Sequence, residues 1–271
     1  MKKIIVILVS LFLSTGTLHA NSKTSGIAIQ KTYEDYPLKK VLSLAKSGDA
    51  NAQYDLSERY NRGIGGVKKD QSEAIKWVKL AVAQHNSGAQ NSLGYYYERG
   101  LGIKKDTAKA LHYYRLAADQ GHRIGIFNVG FHYMMGQGVE VNHKKAATLF
   151  KKAADLGYIP AYVRLGFAYD EGYGVKQDKK RAFKLYQKAA LLGEHNGQNN
   201  LAGLYYMGQG VSENFVLAMM WLNVSSMNGN RHAIREAHYK YLVNNMSASD
   251  ITKAENLAVQ CIESHYKRCA E

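Results

Sequence analysis

Two kinds of apolar stripe alternate along this chain, and glycine closes each of them. The first joins Ala89, Leu93, Gly94 and Tyr97, at steps that place all four on one face of a helix. The second joins Ala110, Tyr113, Tyr114, Ala117 and Ala118 in the same way. Gly100 ends the first stripe and Gly121 the second, because glycine reaches the left-handed backbone that a helix stop usually needs. Between them GLGIKKD turns the chain, and Asp106 is a good N-cap for the second helix. In the preceding unit Asp70 and Glu73 form a capping-box pattern. The predicted unit is a helical hairpin. One hairpin cannot bury its own apolar stripe, but stacked hairpins can.

The hairpin repeats. A shift of 36 residues carries Gly100 to Gly136, Gly172 and Gly208, and Gly121 to Gly157, Gly193 and Gly229. Ala74, Ala110, Ala146, Ala182 and Ala218 keep the same step, as do Asp70, Asp106, Asn142, Asp178 and Asn214. Such a period over most of a chain means a stacked repeat architecture. The pattern A-x3-L-G-x2-Y-x2-G-x-G-V-x2-D-x3-A, followed by an aromatic pair, A-A and a closing glycine, resembles the Sel1-like repeat, a relative of the tetratricopeptide repeat. The resemblance runs over residues 50–229, in five units. It implies an all-α fold, a right-handed α-solenoid of stacked helix-turn-helix repeats. The end units depart locally. The first has an extra turn residue between Gly63 and Gly66 and His85 in the closing-glycine slot, and the fifth has Ser225 and Ser226 in place of the alanine pair.

Outside the repeats the period is lost. Lys2 and Lys3 precede an apolar run from Ile4 to Leu13, and a short polar stretch ends at Ala20. This reads as a secretory signal over 1–20, cut after Ala20, since the run is shorter than the roughly 20 apolar residues that span a bilayer. An uncleaved anchor is the alternative. The expected location is periplasmic or secreted, with no stable membrane insertion after cleavage. Residues 21–36 read as a flexible lead-in and residues 37–49 as an N-terminal capping helix ending at Gly48. Residues 230–271 read as capping helices, one around Ile234 to Leu242, and one from Ser249 and Asp250 to about His265.

Cys261 and Cys269 are the chain's two cysteines. In an exported protein such a pair suggests a disulfide. Eight residues of unbroken helix would hold their Cα atoms about 12 Å apart, and a bridge needs about 4.4–6.8 Å. A bond therefore requires the helix to stop near His265 and the tail to fold back; two free or intermolecular thiols are the alternative. Cysteine-rich members of the family carry a bridge in each repeat, and those cysteines are absent here. Without the leader the chain has 34 basic against 22 acidic residues, net +12. Acidic envelope components are candidate ligands for that surface. Many of the lysines sit in the inter-helix turns, as Lys68, Lys69, Lys104 and Lys105 do, where exposure and solubility suffice to explain them. Export argues against a nucleic-acid partner.

The search for chemistry is negative. The paired turn glycines lack the third glycine and the Gly-Lys-Ser/Thr ending of phosphate loops, and read as punctuation. The histidines are scattered, with no H-E-x-x-H; His112, His132 and His143 read as surface or interface residues. No G-x-S-x-G elbow is present. No catalytic residue, metal site or cofactor is assigned. If tetratricopeptide geometry transfers, the positions two before, two after, five after and six after the repeat leucine line a groove. The residues assigned to it are Tyr54, Arg62, Tyr95, Arg99, Phe127, Phe131, Met134, Met135, Phe167 and Tyr206. Its aromatic and methionine-rich centre suits an extended peptide or a partner helix, unless tighter packing buries it. The expected function is an exported protein–protein interaction scaffold. The alternative is a protein that binds or modifies cell-wall peptidoglycan.

Overall fold

The structure is a computed structural model that describes Tyr33 and residues 35–229 and 233–269, with the backbone alone for 233–237. The expected leader and most of the expected lead-in lie outside the described residues. From Tyr33 onward the chain forms one compact unit. After α1 (Leu38–Lys46) come five hairpins: α2 (Ala50–Arg62) with α3 (Gln71–Ala83), α4 (Ser87–Arg99) with α5 (Thr107–Asp119), α6 (Arg123–Met135) with α7 (His143–Asp155), α8 (Ile159–Glu171) with α9 (Lys179–Leu191), and α10 (His195–Met207) with α11 (Phe215–Met227). Two helices follow, α12 (Ala233–Asn245) and α13 (Ala248–Glu263). No strand occurs among the described residues. Each helix packs on its hairpin partner and on the neighbouring hairpin, while α1 covers α2 and α13 covers α11. The fold is an all-α solenoid.

The same bonds close the hairpin turn in every repeat, including the lengthened first one. Gly63, Gly100, Gly136, Gly172 and Gly208 are left-handed C-caps of the first helices. Asp70, Asp106, Asn142, Asp178 and Asn214 accept backbone N–H bonds at the start of the second helices. The amide of each capping residue also donates to the carbonyl of the repeat tyrosine: Asp106 to Tyr97 at 2.9 Å, Asn142 to Tyr133 at 2.8 Å, Asp178 to Tyr169 at 2.8 Å. One residue thus satisfies orphan groups on both helices.

Glycine also sets how closely elements approach. A Cβ on Gly94, Gly130 or Gly166 would lie 2.8, 3.0 or 2.7 Å from the rings of Tyr114, Phe150 and Tyr186, so these positions seat buried aromatics of the second helix. At the ends of the array seat and ring shrink together: Ser57 and Ala202 hold the glycine place, Val78 and Leu222 the ring place. The second turn glycine is more than punctuation. Gly138 lies against the carbonyl of Thr107, Gly174 against that of His143, and Gly210 against that of Lys179. Each is the first residue of the preceding repeat's second helix, so this glycine is where one repeat rests on another.

A buried carboxamide links repeats as well. Gln53 donates to the Ala45 carbonyl at 3.0 Å and accepts from Gln84 at 2.8 Å; Gln198 likewise donates to Ala190 at 3.2 Å and accepts from Asn228 at 2.8 Å. Gln90 accepts from Gln120 at 2.7 Å. In repeats three and four Ile126 and Tyr162 take the glutamine place, and Leu156 and Leu192 take the place of its partner.

Several expectations need correction at the ends of the array. The lead-in is not free through residue 36. Tyr33 is buried and donates to Asp49 at 2.8 Å. The carbonyls of Tyr33 and Tyr36 accept from the buried Arg59 guanidinium at 2.8 and 2.9 Å. The same guanidinium donates to the Gly65 carbonyl at 3.2 Å, in the lengthened first turn. His85 adopts the left-handed backbone of the glycines it replaces, with φ 58°. The last helix starts at Ala248, one residue before the expected pair, because Ser247 caps it by accepting from the Asp250 amide at 3.1 Å. It stops at Glu263. His265 and Tyr266 are left-handed and turn the tail back, so Cys261 and Cys269 are bridged with Cα atoms 4.4 Å apart. Tyr266 Oη then sits 2.9 Å from Asn228 Nδ2, tying the tail to the end of α11. That helix carries Met219, Met220, Trp221, Leu222 and Val224 buried all round, because α13 covers the side that other repeats leave open.

Two measurements check this account. Gly174→Ala should lose about 3 kcal/mol or more in chemical denaturation, since it combines a left-handed backbone with backbone overlap on His143. Gly121→Ala, with φ +79° and open space around it, should lose about 1 kcal/mol; equal losses would refute the contact role. The second concerns His122, which caps α6 by accepting the Gly125 amide at 3.2 Å. Burial, then the neighbouring Arg123, holds its pKa below the usual histidine value. The neutral ring's contribution is therefore complete above the unfolded-state pKa near 6.5 and is lost as pH falls through the lower folded-state value. Lowering pH from about 7 to about 5 should cost the native chain about 1 kcal/mol more than His122→Asn, which keeps a cap that does not titrate.

Candidate interaction surface

The first helices carry the expected groove positions, and the structure sorts these into three levels of exposure. Six residues after the repeat leucine the side chains stand out: Arg62, Arg99, Met135, Glu171 and Met207 are exposed, Met135 at 52%. Two and five after it most are half-buried, including Phe131, Met134, Phe167 and Tyr206, while Tyr95 is 43% exposed. Two before it the residues pack inward. The Tyr54 ring lies where a Cβ on Gly88 would touch it at 2.7 Å, and burial, then Glu58, raises its phenol pKa. Phe127 packs on Phe150 and Tyr158 with ring centroids at 5.5 and 5.0 Å. Tyr54 and Phe127 are therefore packing residues, because a step of two below the leucine turns a side chain towards the adjoining hairpin.

Tyr206 is also removed from the open surface. Its ring stacks on His238 at 4.7 Å and on Phe215 at 5.9 Å, with Tyr241 edge-on at 5.4 Å, so the C-terminal cap covers it. What remains in the middle is one patch. Phe131, Met134, Met135 and Phe167 are joined by two residues the sequence argument missed, Arg164 and Tyr173. The Arg164 guanidinium lies 5.5 Å from the Phe131 centroid, and Tyr173 lies 5.6 Å from Phe167 and 5.0 Å from His143. A signal for Arg164 existed: it is three residues before Phe167 on α8, so the two share a face. Tyr173 lies in a turn, where helical periodicity gives no direction.

Beneath this patch Met134, Phe167, Arg164 and Tyr173 line a cavity of about 10 Å³, about the space of one water. That is too small for a partner's side chain, so a partner would lie over the patch. The early, polar part differs. Glu98, Arg99, Lys105, Thr107 and Gln137 line an open cleft of about 740 Å³. Glu98 is oriented within it. Tyr114 donates to Glu98 at 2.7 Å, and burial, then Glu98, drives the tyrosine pKa upward, so it remains a neutral donor. His132 Nε2 is 3.8 Å from Glu98, and its Nδ1 donates to the Gln137 carbonyl at 2.7 Å. His132 is fully buried, not a surface residue: its place in α6 is that of Tyr96 in α4, also buried. Among the described residues no group of three His, Cys, Asp or Glu is arranged to hold a metal.

Helical hairpins of equal helix length, stacked through recurring small residues and presenting a variable first-helix face, define a helical-repeat solenoid of the kind that displays side chains along an extended surface. The chain belongs to the Sel1 repeat family: residues 50–86, 87–122, 124–158, 159–194 and 195–230 each match the repeat. Among solved structures it is similar to a Sel1 repeat protein from Oxalobacter formigenes, at 30% identity and TM-score 0.67, over 84% of this chain and 95% of that one. It is also similar to a protective antigen of uropathogenic Escherichia coli displaying an SLR fold, at 30% identity and TM-score 0.58, over 85% of this chain and 57% of that one. A curated relative, the ERAD-associated E3 ubiquitin-protein ligase component HRD3A of Arabidopsis thaliana, is 29% identical over 87 residues. The chain spans 13% of that relative's length.

The division between packing and display has a direct test in denaturant. Phe127→Ala should cost about 2–3 kcal/mol, and Met135→Ala should stay within about 0.5 kcal/mol of the native chain. The reverse order would show that the patch has been drawn on the wrong residues.

Proposed function

We propose that this protein is an exported scaffold that holds an extended peptide or a partner helix on its first-helix face, over Phe131, Met134, Met135, Arg164, Phe167 and Tyr173. Sel1 repeat proteins are generally interaction scaffolds rather than enzymes. The observation that carries the reading is the exposure of Met135 beside half-buried aromatics of two successive first helices, with Arg164 of the second lying 5.5 Å over the Phe131 ring of the first. Apolar rings beside a methionine and an arginine are what binding hot spots are made of. Arg62 and Arg99 extend the face on one side, Arg62 lying 3.6 Å from Glu58, and Glu171 extends it on the other, so the charges beyond the apolar core are mixed. Export is supported by Lys2 and Lys3 ahead of the apolar run from Ile4 to Leu13 and by the small residue Ala20.

The test is affinity capture from the producing cell's envelope with residues 21–271, against a Phe131→Ala/Met135→Ala form of the same helical spectrum. A protein retained by the native chain and lost with the double substitution is the expected result. Identical captured sets for both forms would move binding off this face. Retention of purified peptidoglycan at high salt by both forms, with no protein captured, would favour the cell-wall reading instead.

A further inference from the structure

The second helices of repeats three and four carry an exposed stripe unlike that of the other repeats. Along α7 and its C-cap it reads Lys144, Thr148, Lys152 and Leu156; along α9 and its C-cap it reads Lys180, Lys184, Lys188 and Leu192. These are the same four repeat positions, and all eight side chains are exposed. Steps of four residues keep each row on one side of its helix. In α3 the same positions hold Ser72, Lys76, Leu80 and Gln84, with Leu80 44% exposed but the one lysine paired to Glu73 at 3.0 Å, and in α5 they hold Ala108, His112, Leu116 and Gln120; both rows end on a glutamine engaged with the buried Gln53 or Gln90. On α11 part of the row is buried beneath α13.

Charge on these two helices is concentrated and mostly uncompensated. They hold nine lysines and arginines and one acid, Asp155. Lys151, Lys179 and Arg181 meet Asp155, Asp170 and Asp178 at 2.6, 2.7 and 3.2 Å. No lysine of the two rows meets a carboxylate among the described residues; Lys188 lies 4.5 Å over the Tyr162 ring. Solubility alone would account for the lysines, but not for the leucines that end the rows. Leu156 and Leu192 are 40% and 49% exposed, and Leu191 beside them is 38% exposed. A soluble polyanion offers such leucines nothing to enter. An anionic lipid surface takes both parts: phosphates attract the lysines, and the leucines enter the boundary between headgroups and acyl chains.

We propose that this face of α7 and α9 is a peripheral docking surface for an anionic phospholipid membrane, separate from the first-helix face. None of the described helices is long and apolar enough to cross a membrane, so the contact is superficial.

The experiment is sedimentation of residues 21–271, which carry the whole compact unit, with vesicles of phosphatidylcholine alone or with about one third phosphatidylglycerol. The expected result is binding to the anionic vesicles only, fading as salt rises. Lys152→Ala/Lys184→Ala/Lys188→Ala should weaken it roughly 100-fold, at about fivefold per lysine, and Thr148→Lys should strengthen it about fivefold. Leu156→Ser/Leu192→Ser should weaken vesicle binding several-fold and leave binding to soluble polyphosphate unchanged. All the substitutions are at exposed positions, and unchanged melting temperatures verify folding. Absent binding, equal binding to both vesicles, or an unaffected triple variant would overturn the proposal. So would full vesicle binding by the leucine variant, which would make the face a general polyanion site.

Discussion

Everything in this molecule depends on close approach at positions that have no side chain. Gly138, Gly174 and Gly210 let each hairpin turn rest on the first backbone carbonyl of the second helix before it. Gly94, Gly130 and Gly166 let a buried ring lie directly against the first helix of its own hairpin. The first contact fixes the step between repeats and the second fixes the spacing within one. Neither leaves room for an unstrained methyl group at these six glycines; where Ser57 and Ala202 stand in the seat, the facing ring gives way to Val78 or Leu222. Interiors at this packing density transmit a change of one carbon to every neighbour.

Because small residues, rings and capping side chains carry the stacking, the outward positions are free to diverge. Repeats three and four diverge most. They exchange a buried carboxamide pair for Ile126 with Leu156 and Tyr162 with Leu192, and their first helices present Phe131, Met135 and Phe167. The repeats at either end keep the glutamine link, which a hydrogen-bonded pair can hold only if both members stay polar. The middle of the array is thus where the surface specialises, on the first helices by apolar exposure and on the second by charge. The two ends spend their variation on closure: Arg59 gathers the carbonyls of Tyr33, Tyr36 and Gly65, and the bridged tail from Cys261 to Cys269 reaches Asn228 through Tyr266.

Much of this was legible in the chain. The period, the hairpin, the left-handed stops and the capping series follow from local rules, since glycine and Asp or Asn do their work within a few residues of where they stand. The first-helix face was legible in part. A leucine-centred count finds Met135 and Phe131 but also takes in Tyr54 and Phe127, because it measures the angle around one helix and does not register the neighbouring hairpin. It takes in Tyr206 too, since nothing in the repeat tells that α12 will cover it.

By itself the sequence determined the number of units, the order of helices within them, the glycines that stop the first helices and the Asp or Asn that cap the second. Those are consequences of backbone preference and periodicity, which act within a single hairpin. Only the tertiary structure decided that the second turn glycine bears on the preceding repeat, that His132 is buried beside Glu98, and that Arg164 reaches the Phe131 ring of the repeat before it. It also decided that Cys261 can meet Cys269, because the bridge waits on two left-handed residues, His265 and Tyr266, that no glycine announces. Each depends on where a neighbouring element stands, and that position is set by the sum of contacts along the stack rather than by any one stretch of chain.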